Sequence, residues 1–239
     1  MTIGPRVAFV DDMEDQIIKL DEAVREMKAG SIFFNATPHL AVFPDAPLDT
    51  VKLLFLDLYY QKDFVPEMSA NWVEKIIPKN TEYELVVWSK DTDETDKLLP
   101  ILDQFSLKPK NVERWQKNRY TDVDKLKAKV KEVTGHIPNL EQITQENFFG
   151  EILEVEKDGV LVNCNIGLEK PVFQVRKFDR ELLSRVDNLK PGRFVKIIIY
   201  TKPGARLIDI MEDLEDRSAL FKTPDYFKGL EQSAFFKPE

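Results

Sequence analysis

Five polar side chains stand out because each lies at or just past the end of an apolar run. Asp11 and Asp12 follow the run Arg6 to Val10, Asp57 closes Val51 to Leu56, Ser89 follows Glu84 to Trp88, and Lys117 lies just beyond Asn111 to Trp115. Bare carboxylates sharing one pocket repel each other, and the usual remedies are a protonated member or a bound cation. A hard cation with oxygen ligands, Mg2+ above all, suits three carboxylates and keeps water in its remaining positions. The carboxylate of Asp57, already ionised at neutral pH, could attack a phosphoryl donor in line without a general base. The cation, Ser89 and Lys117 would then neutralise or hydrogen-bond the other phosphoryl oxygens. Taken alone, an Asp pair after a strand is more often a helix cap in a solvated loop. Only the joint placement of all five residues lifts the chemical reading above that one.

For these residues to meet, the apolar runs must be adjacent strands ending on one side of a sheet. The runs at 51–56 and 84–88 are nearly continuous, as in strands buried on both faces of a parallel sheet. A further strand is expected at Ile32 to Phe34 and a weak one at Asn111 to Trp115. Between them lie helical patterns: Met13 to Met27, with Ile17, Leu20, Val24 and Met27 on one face; Ser69 to Ile77, closed by Pro78; Asp91 to Phe105, with Asp91 as N-cap; and Thr121 to Val133, with Thr121 as N-cap. Strands alternating with helices imply an open, mostly parallel α/β sheet with right-handed crossovers. In the order 2-1-3-4-5 the first and third strands are neighbours, so Asp11, Asp12 and Asp57 converge at the carboxyl ends, where such sheets bind ligands.

Residues 6 to 133 resemble the CheY-like receiver domain of bacterial response regulators. The resemblance rests on Val-Asp11-Asp12 after the first strand, Leu-Phe-Leu-Asp57-Leu after the third, Val-Val-Trp-Ser89 after the fourth and Lys117 after the fifth. It implies a flavodoxin-like (βα)5 fold and an Asp57 phosphorylated by a histidine kinase, a phosphotransfer protein or a small phosphodonor. It also implies a metal held by Asp11, Asp12, Asp57 and a backbone carbonyl near Tyr59, and a Ser89-centred switch. Such a chain is a phosphoacceptor that assists its own phosphoryl transfer, not a conventional enzyme. The sequence departs from the family pattern in four places. Asn118 follows Lys117 where proline is usual, Lys90 stands where a small side chain is preferred, the aromatic switch position of the fifth strand falls on Arg114 or, with a one-residue slip, Trp115, and Pro44 to Pro47 lengthens the region before the third strand. A phosphorylation-independent pseudo-receiver scaffold is the alternative that Asn118 and Lys90 motivate. Haloacid-dehalogenase phosphatases need a second Asp where Tyr59 stands.

The pattern changes after residue 134. Residues 135–146 are polar, hold Pro138, and read as a linker between a receiver-like domain at 1–134 and a second domain at 147–212. The second domain alternates with period two. Lys157-Asp158-Gly159 is a hairpin signal, and further strands are expected at Pro171 to Val175, Phe194 to Tyr200 and Arg206 to Met211. That many short strands suggest a small antiparallel β-barrel, SH3-like or OB-like, serving as an output or adaptor module. Arg176, Lys177, Arg180, Arg185, Arg193, Lys196 and Arg206 surround Phe173, Phe178 and Phe194. These could face single-stranded nucleic acid, but rings filling a core beneath solvated charges are favoured, so a downstream protein or a second copy is the preferred partner. In the tail 213–239, Phe221, Tyr226, Phe227, Phe235 and Phe236 are expected to dock on the chain's own surface.

Composition narrows the rest. At 239 residues the chain suits two domains, and 43% hydrophobic with 32% charged residues is too apolar for a disordered chain. A formal charge of -8 opposes broad attraction to nucleic acid. The balance is uneven: about -7 up to Glu146, about +1 from Asn147 to Glu212 and about -2 beyond. Apolar stretches fall far short of the ~20 residues of a membrane span, and no signal-peptide pattern is visible. With one cysteine, Cys164, no intrachain disulfide can form, and a cytoplasmic location is expected. Cys164 reads as core. His39 and His136 lack ligand spacing, and no phosphate-cradling glycine motif is present.

Overall fold

The computed structural model describes residues 3–60, 63–135, 137, 143–167, 170–183, 189–215, 217, 219–222 and 224–231. The chain divides into two compact units, 1–144 and 145–239.

The first unit holds five parallel strands: β1 (Val7–Asp11), β2 (Ser31–Asn35), β3 (Leu53–Leu56), β4 (Glu84–Ser89) and β5 (Asn111–Gln116). Their order is β2-β1-β3-β4-β5, the flavodoxin-like arrangement. Every residue of β1 and β3 is buried, which is why both read as unbroken apolar runs. Four helices cover the sheet: α1 (Ile18–Glu26), α2 (Pro66–Ile76), α3 (Thr95–Gln104) and α4 (Val123–Thr134). Strand alternation sends Val7, Phe9, Leu53, Phe55, Val86, Trp88 and Trp115 into one core with Leu20 and Val24 of α1 and Leu126 and Val130 of α4. On the opposite face α2 packs against α3, and Trp72 of α2 meets Phe34 at 6.0 Å.

The structure corrects several expectations. A (βα)5 unit needs a helix between β2 and β3, and residues 36–52 form turns instead. Pro38, Pro44 and Pro47 remove amide donors and restrict φ through that stretch. The loop still covers part of the sheet, because Phe43 stacks on Trp72 at 4.2 Å and the Leu48 N–H donates to the Ile76 carbonyl. Asp91 does not cap α3: it accepts from the Asp93 N–H within the preceding loop, and α3 begins at Thr95. Asp122, not Thr121, caps α4, accepting from Asp124 and Lys125. Helix α2 starts three residues early, with Pro66 in its first turn, where a missing N–H costs nothing.

The second unit is an antiparallel sheet of β6 (Thr144–Val155), β7 (Gly159–Asn165), β8 (Phe173–Asp179), β9 (Phe194–Lys202) and β10 (Ala205–Glu212), in the order β8-β7-β6-β9-β10. The expected barrel is not closed by these pairings. Among the described residues β8 and β10 remain edge strands, and the single bridge between Leu183 and Ile208 is all that approaches closure. The core face carries Ile152, Val160, Val162, Cys164, Phe178, Val195, Ile197, Ile199, Ile208 and Ile210. β8 runs on to Asp179, so Phe178 lies in this core and not on an open aromatic surface. The hairpin at Asp158-Gly159 needs its glycine, since a Cβ there would sit 2.6 Å from the Phe178 carbonyl oxygen.

Helix α5 (Pro224–Glu231) packs on β8 and β7. Phe221 is buried against Phe173 and Phe194, each at 5.0 Å, and the Tyr226 hydroxyl donates to Glu151 at 2.5 Å. Phe173 is therefore covered as well. His136, Pro138, Arg185, Phe235 and Phe236 lie outside the described residues, as does half of the expected linker.

Candidate functional site

Strand register brings the five singled-out residues together. Val10 of β1 pairs with Leu56 of β3, and the Asp57 N–H donates to the Val10 carbonyl at 2.9 Å, so Asp11 and Asp57 leave neighbouring strand ends side by side. β4 pairs with β3 on the other side and ends at Ser89, and β5 pairs with β4 and is followed directly by Lys117. One carboxylate oxygen from each of Asp11, Asp12 and Asp57 lies within 4.8 Å of the others.

The hydrogen bonds are dense. Lys117 Nζ donates to Asp11 Oδ2 at 2.8 Å and to Asp57 Oδ2 at 2.7 Å. Ser89 Oγ donates to Asp57 Oδ1 at 2.6 Å, and the N–H groups of Leu58 and Tyr59 reach the same oxygen at 2.7 and 3.3 Å. Asp11 Oδ1 accepts from the Met13 N–H at 3.0 Å. Asp11 and Asp57 are buried while Asp12 is only partly so, which places Asp12 at the rim. Burial, with Asp57 adding to it and Lys117 opposing it, pushes the Asp11 carboxyl up to about 7. Three carboxylates stand against one ammonium, a hard, oxygen-rich and net-negative donor set that suits a divalent cation. Asp11, Asp12 and Asp57 would hold it.

Some features were not legible beforehand. Thr37, from the loop that replaces a helix, donates its hydroxyl to the Asp12 carbonyl at 3.2 Å. Tyr60 is buried beside Ser69, and burial, reinforced by Asp57, Asp11 and Asp12, pushes its phenol well up and keeps it neutral. In sequence it reads as one more apolar ring. Lys90 lays its ammonium 4.5 Å from the centre of the Tyr59 ring. Each of those two residues stood out alone, but their pairing had no local signal.

The two fifth-strand positions singled out in the sequence are both engaged in side-chain contacts. Arg114 binds Asp96 of α3, and Trp115 is buried against Phe55 at 5.6 Å and Tyr120 at 5.3 Å. His39 is exposed and distant in sequence from the cluster.

No family model and no curated protein matches the chain. Among solved structures, it is similar to a phosphorylated cyanobacterial phytochrome response regulator, RcpA, at 19% identity over 55% of this chain and 92% of that one, with a TM-score of 0.34. It is similar to the same extent to a flavodoxin from Streptococcus pneumonia TIGR4, at 13% identity over 55% of this chain and 99% of that one, TM-score 0.34. Translation elongation factor SelB from Methanococcus maripaludis matches at 11% identity over 73% of this chain and 42% of that one, TM-score 0.30. At such scores the fold rests on strand order and register, and the site on its own geometry.

Proposed function

We propose that this chain is a response regulator in phosphorelay signalling, phosphorylated on Asp57 in a Mg2+-dependent manner. The observation that carries this reading is the convergence of Asp11, Asp12 and Asp57 within 4.8 Å, with Lys117 bridging Asp11 and Asp57 and Ser89 on Asp57. In the transfer, an Asp57 oxygen attacks phosphorus, the bond from phosphorus to the donor atom breaks, and the leaving group departs with that electron pair. Asp11, Asp12 and Asp57 would hold a divalent cation, which would supply charge neutralisation for the phosphoryl oxygens. Lys117 and Ser89 are placed to donate hydrogen bonds to the same oxygens, and the backbone N–H groups of Leu58 and Tyr59 keep the carboxylate oriented. Chemistry of this kind needs a phosphodonor, a histidine kinase or phosphotransfer protein, and passes its result to a downstream protein or a second copy of the chain.

A second reading, a scaffold that keeps the fold and does not switch, draws on the same contacts. Lys117 already satisfies two of the carboxylates, and Arg114 is engaged with Asp96. One experiment separates the two. The chain is incubated with acetyl phosphate, or titrated with beryllofluoride, in the presence and absence of Mg2+. Uptake that needs Mg2+ and disappears in Asp57→Asn supports the phosphoacceptor, and no uptake by the unaltered chain supports the scaffold.

A further inference from the structure

Lys90 and Tyr59 sit on the two loops that flank Asp57. Lys90 follows Ser89, whose hydroxyl lies 2.6 Å from Asp57 Oδ1, and the Tyr59 N–H approaches the same oxygen at 3.3 Å. The Lys90 ammonium rests on the Tyr59 ring at 4.5 Å from its centre, and that ring packs at 5.9 Å from Phe64, its partner in a two-strand ribbon. Lys117 is committed to Asp11 and Asp57, whereas Lys90, one residue past Ser89, is an exposed cation whose contact among the described residues is the Tyr59 ring face.

We propose that Lys90 reads the phosphoryl group by exchanging the Tyr59 ring for the phosphoryl oxygens. This deepens the phosphoacceptor reading of Asp57 and rests on it. A ring quadrupole is a weak seat for an exposed ammonium, and a phosphoryl group bearing about -1.5 to -2 charges is a stronger one. When the ammonium leaves, Tyr59 and its ribbon partner Phe64 lose the contact that ties them to the β4 loop. On the fifth strand Arg114 pairs with Asp96 at the surface, and the aromatic side chain, Trp115, is buried in the core against Phe55 and Tyr120. The state of the site would thus be reported beside the Asp57 loop and not through an aromatic on β5.

Linkage gives the proposal a sign. Whatever holds Lys90 on Tyr59 in the empty site opposes its use by the phosphoryl group to the same degree. Beryllofluoride is titrated calorimetrically at fixed Mg2+ into the full chain and into Tyr59→Leu, Lys90→Met and Lys90→Arg. Tyr59→Leu frees the ammonium and binds roughly two- to five-fold more tightly. Lys90→Met loses the charged contact and binds on the order of ten-fold more weakly, while Lys90→Arg recovers most of the loss. In parallel, amide exchange at Tyr59, Tyr60 and Phe64 speeds up on beryllofluoride binding in the unaltered chain and is already fast in Lys90→Met without it. If Tyr59→Leu weakens binding, or if Lys90→Met retains the unaltered affinity and exchange response, the exchange of partners is wrong while Asp57 remains an acceptor. If the unaltered chain takes up no beryllofluoride, the acceptor reading falls and Lys90 falls with it.

Discussion

Asp57 in the first unit and Asn163 in the second are both polar side chains at or within strands, 4% and 0% exposed. Asp57 has partners on both oxygens, from Ser89 and Leu58 on one and Lys117 on the other. Asn163 has none for either its amide nitrogen or its oxygen among the described residues. Gly229 of α5 approaches it so closely that a Cβ would lie 2.8 Å from its oxygen. A buried polar atom left unpaired costs about 1–3 kcal/mol, whereas a satisfied network holds its members in place. Around Asp57 the first unit thus uses buried polarity to hold a carboxylate in one orientation. The second covers its polar group with a helix and tolerates the cost.

That contrast predicts opposite signs for polar deletions in the two places. The largest effect is expected for Lys117→Met, which leaves the buried Asp11 and Asp57 without their shared cation. Without divalent ions it should lose about 3–5 kcal/mol of stability by urea unfolding, and added Mg2+ should restore part of the loss. Unchanged stability would break the comparison from the side of the first unit.

Gly229→Leu comes next. A Cβ at this position would already lie 2.8 Å from Asn163 Oδ1 and 2.9 Å from Phe173 Cβ, inside van der Waals contact, so α5 should lift from the sheet at a cost of about 1–3 kcal/mol. Hydrogen exchange along 224–231 would report it, and retained protection there would show that the helix has room to shift. Asn163→Val should be neutral or stabilise by up to about 1 kcal/mol, because it removes an unpaired donor and acceptor together. A clear loss of melting temperature in that variant would mean that the amide is paired after all.

The smallest effect concerns Cys164, buried in the core of the second unit. Burial pushes its thiol up to about 12 from an ordinary value of 9.0, so the folded state disfavours the thiolate. Iodoacetamide at about pH 8 should modify it only after unfolding. The sign follows from linkage: stability drawn from the neutral thiol is full below about pH 9 and is lost as pH climbs toward 12. Rapid alkylation under native conditions would place Cys164 outside the core.

Much of the first unit was legible before any coordinates. Strands β1, β3 and β4 showed as apolar runs ending in Asp11, Asp57 and Ser89 because a sheet covered on both faces admits no polar alternation. The helices were found by period but misplaced at their starts. Asp91 and Thr121 looked like caps, yet α3 begins at Thr95 and Asp122 caps α4, since several neighbouring polar side chains can serve and only backbone geometry selects one. The (βα)5 pattern implied by the resemblance lacks its helix before β3, where prolines run through residues 36–52. In the second unit, alternation located the strands, but it is silent on closure, which depends on how edge strands meet.

The amino-acid order by itself determined which segments are buried strands and which polar residues stand at their carboxyl ends, because local burial requirements impose local patterns. Tertiary structure alone decided that Lys117 bridges Asp11 and Asp57, that Lys90 rests on Tyr59, and that α5 covers Asn163. Such contacts join residues tens of positions apart. Register, rotamer and loop path set them jointly, and no periodicity within one segment can encode that.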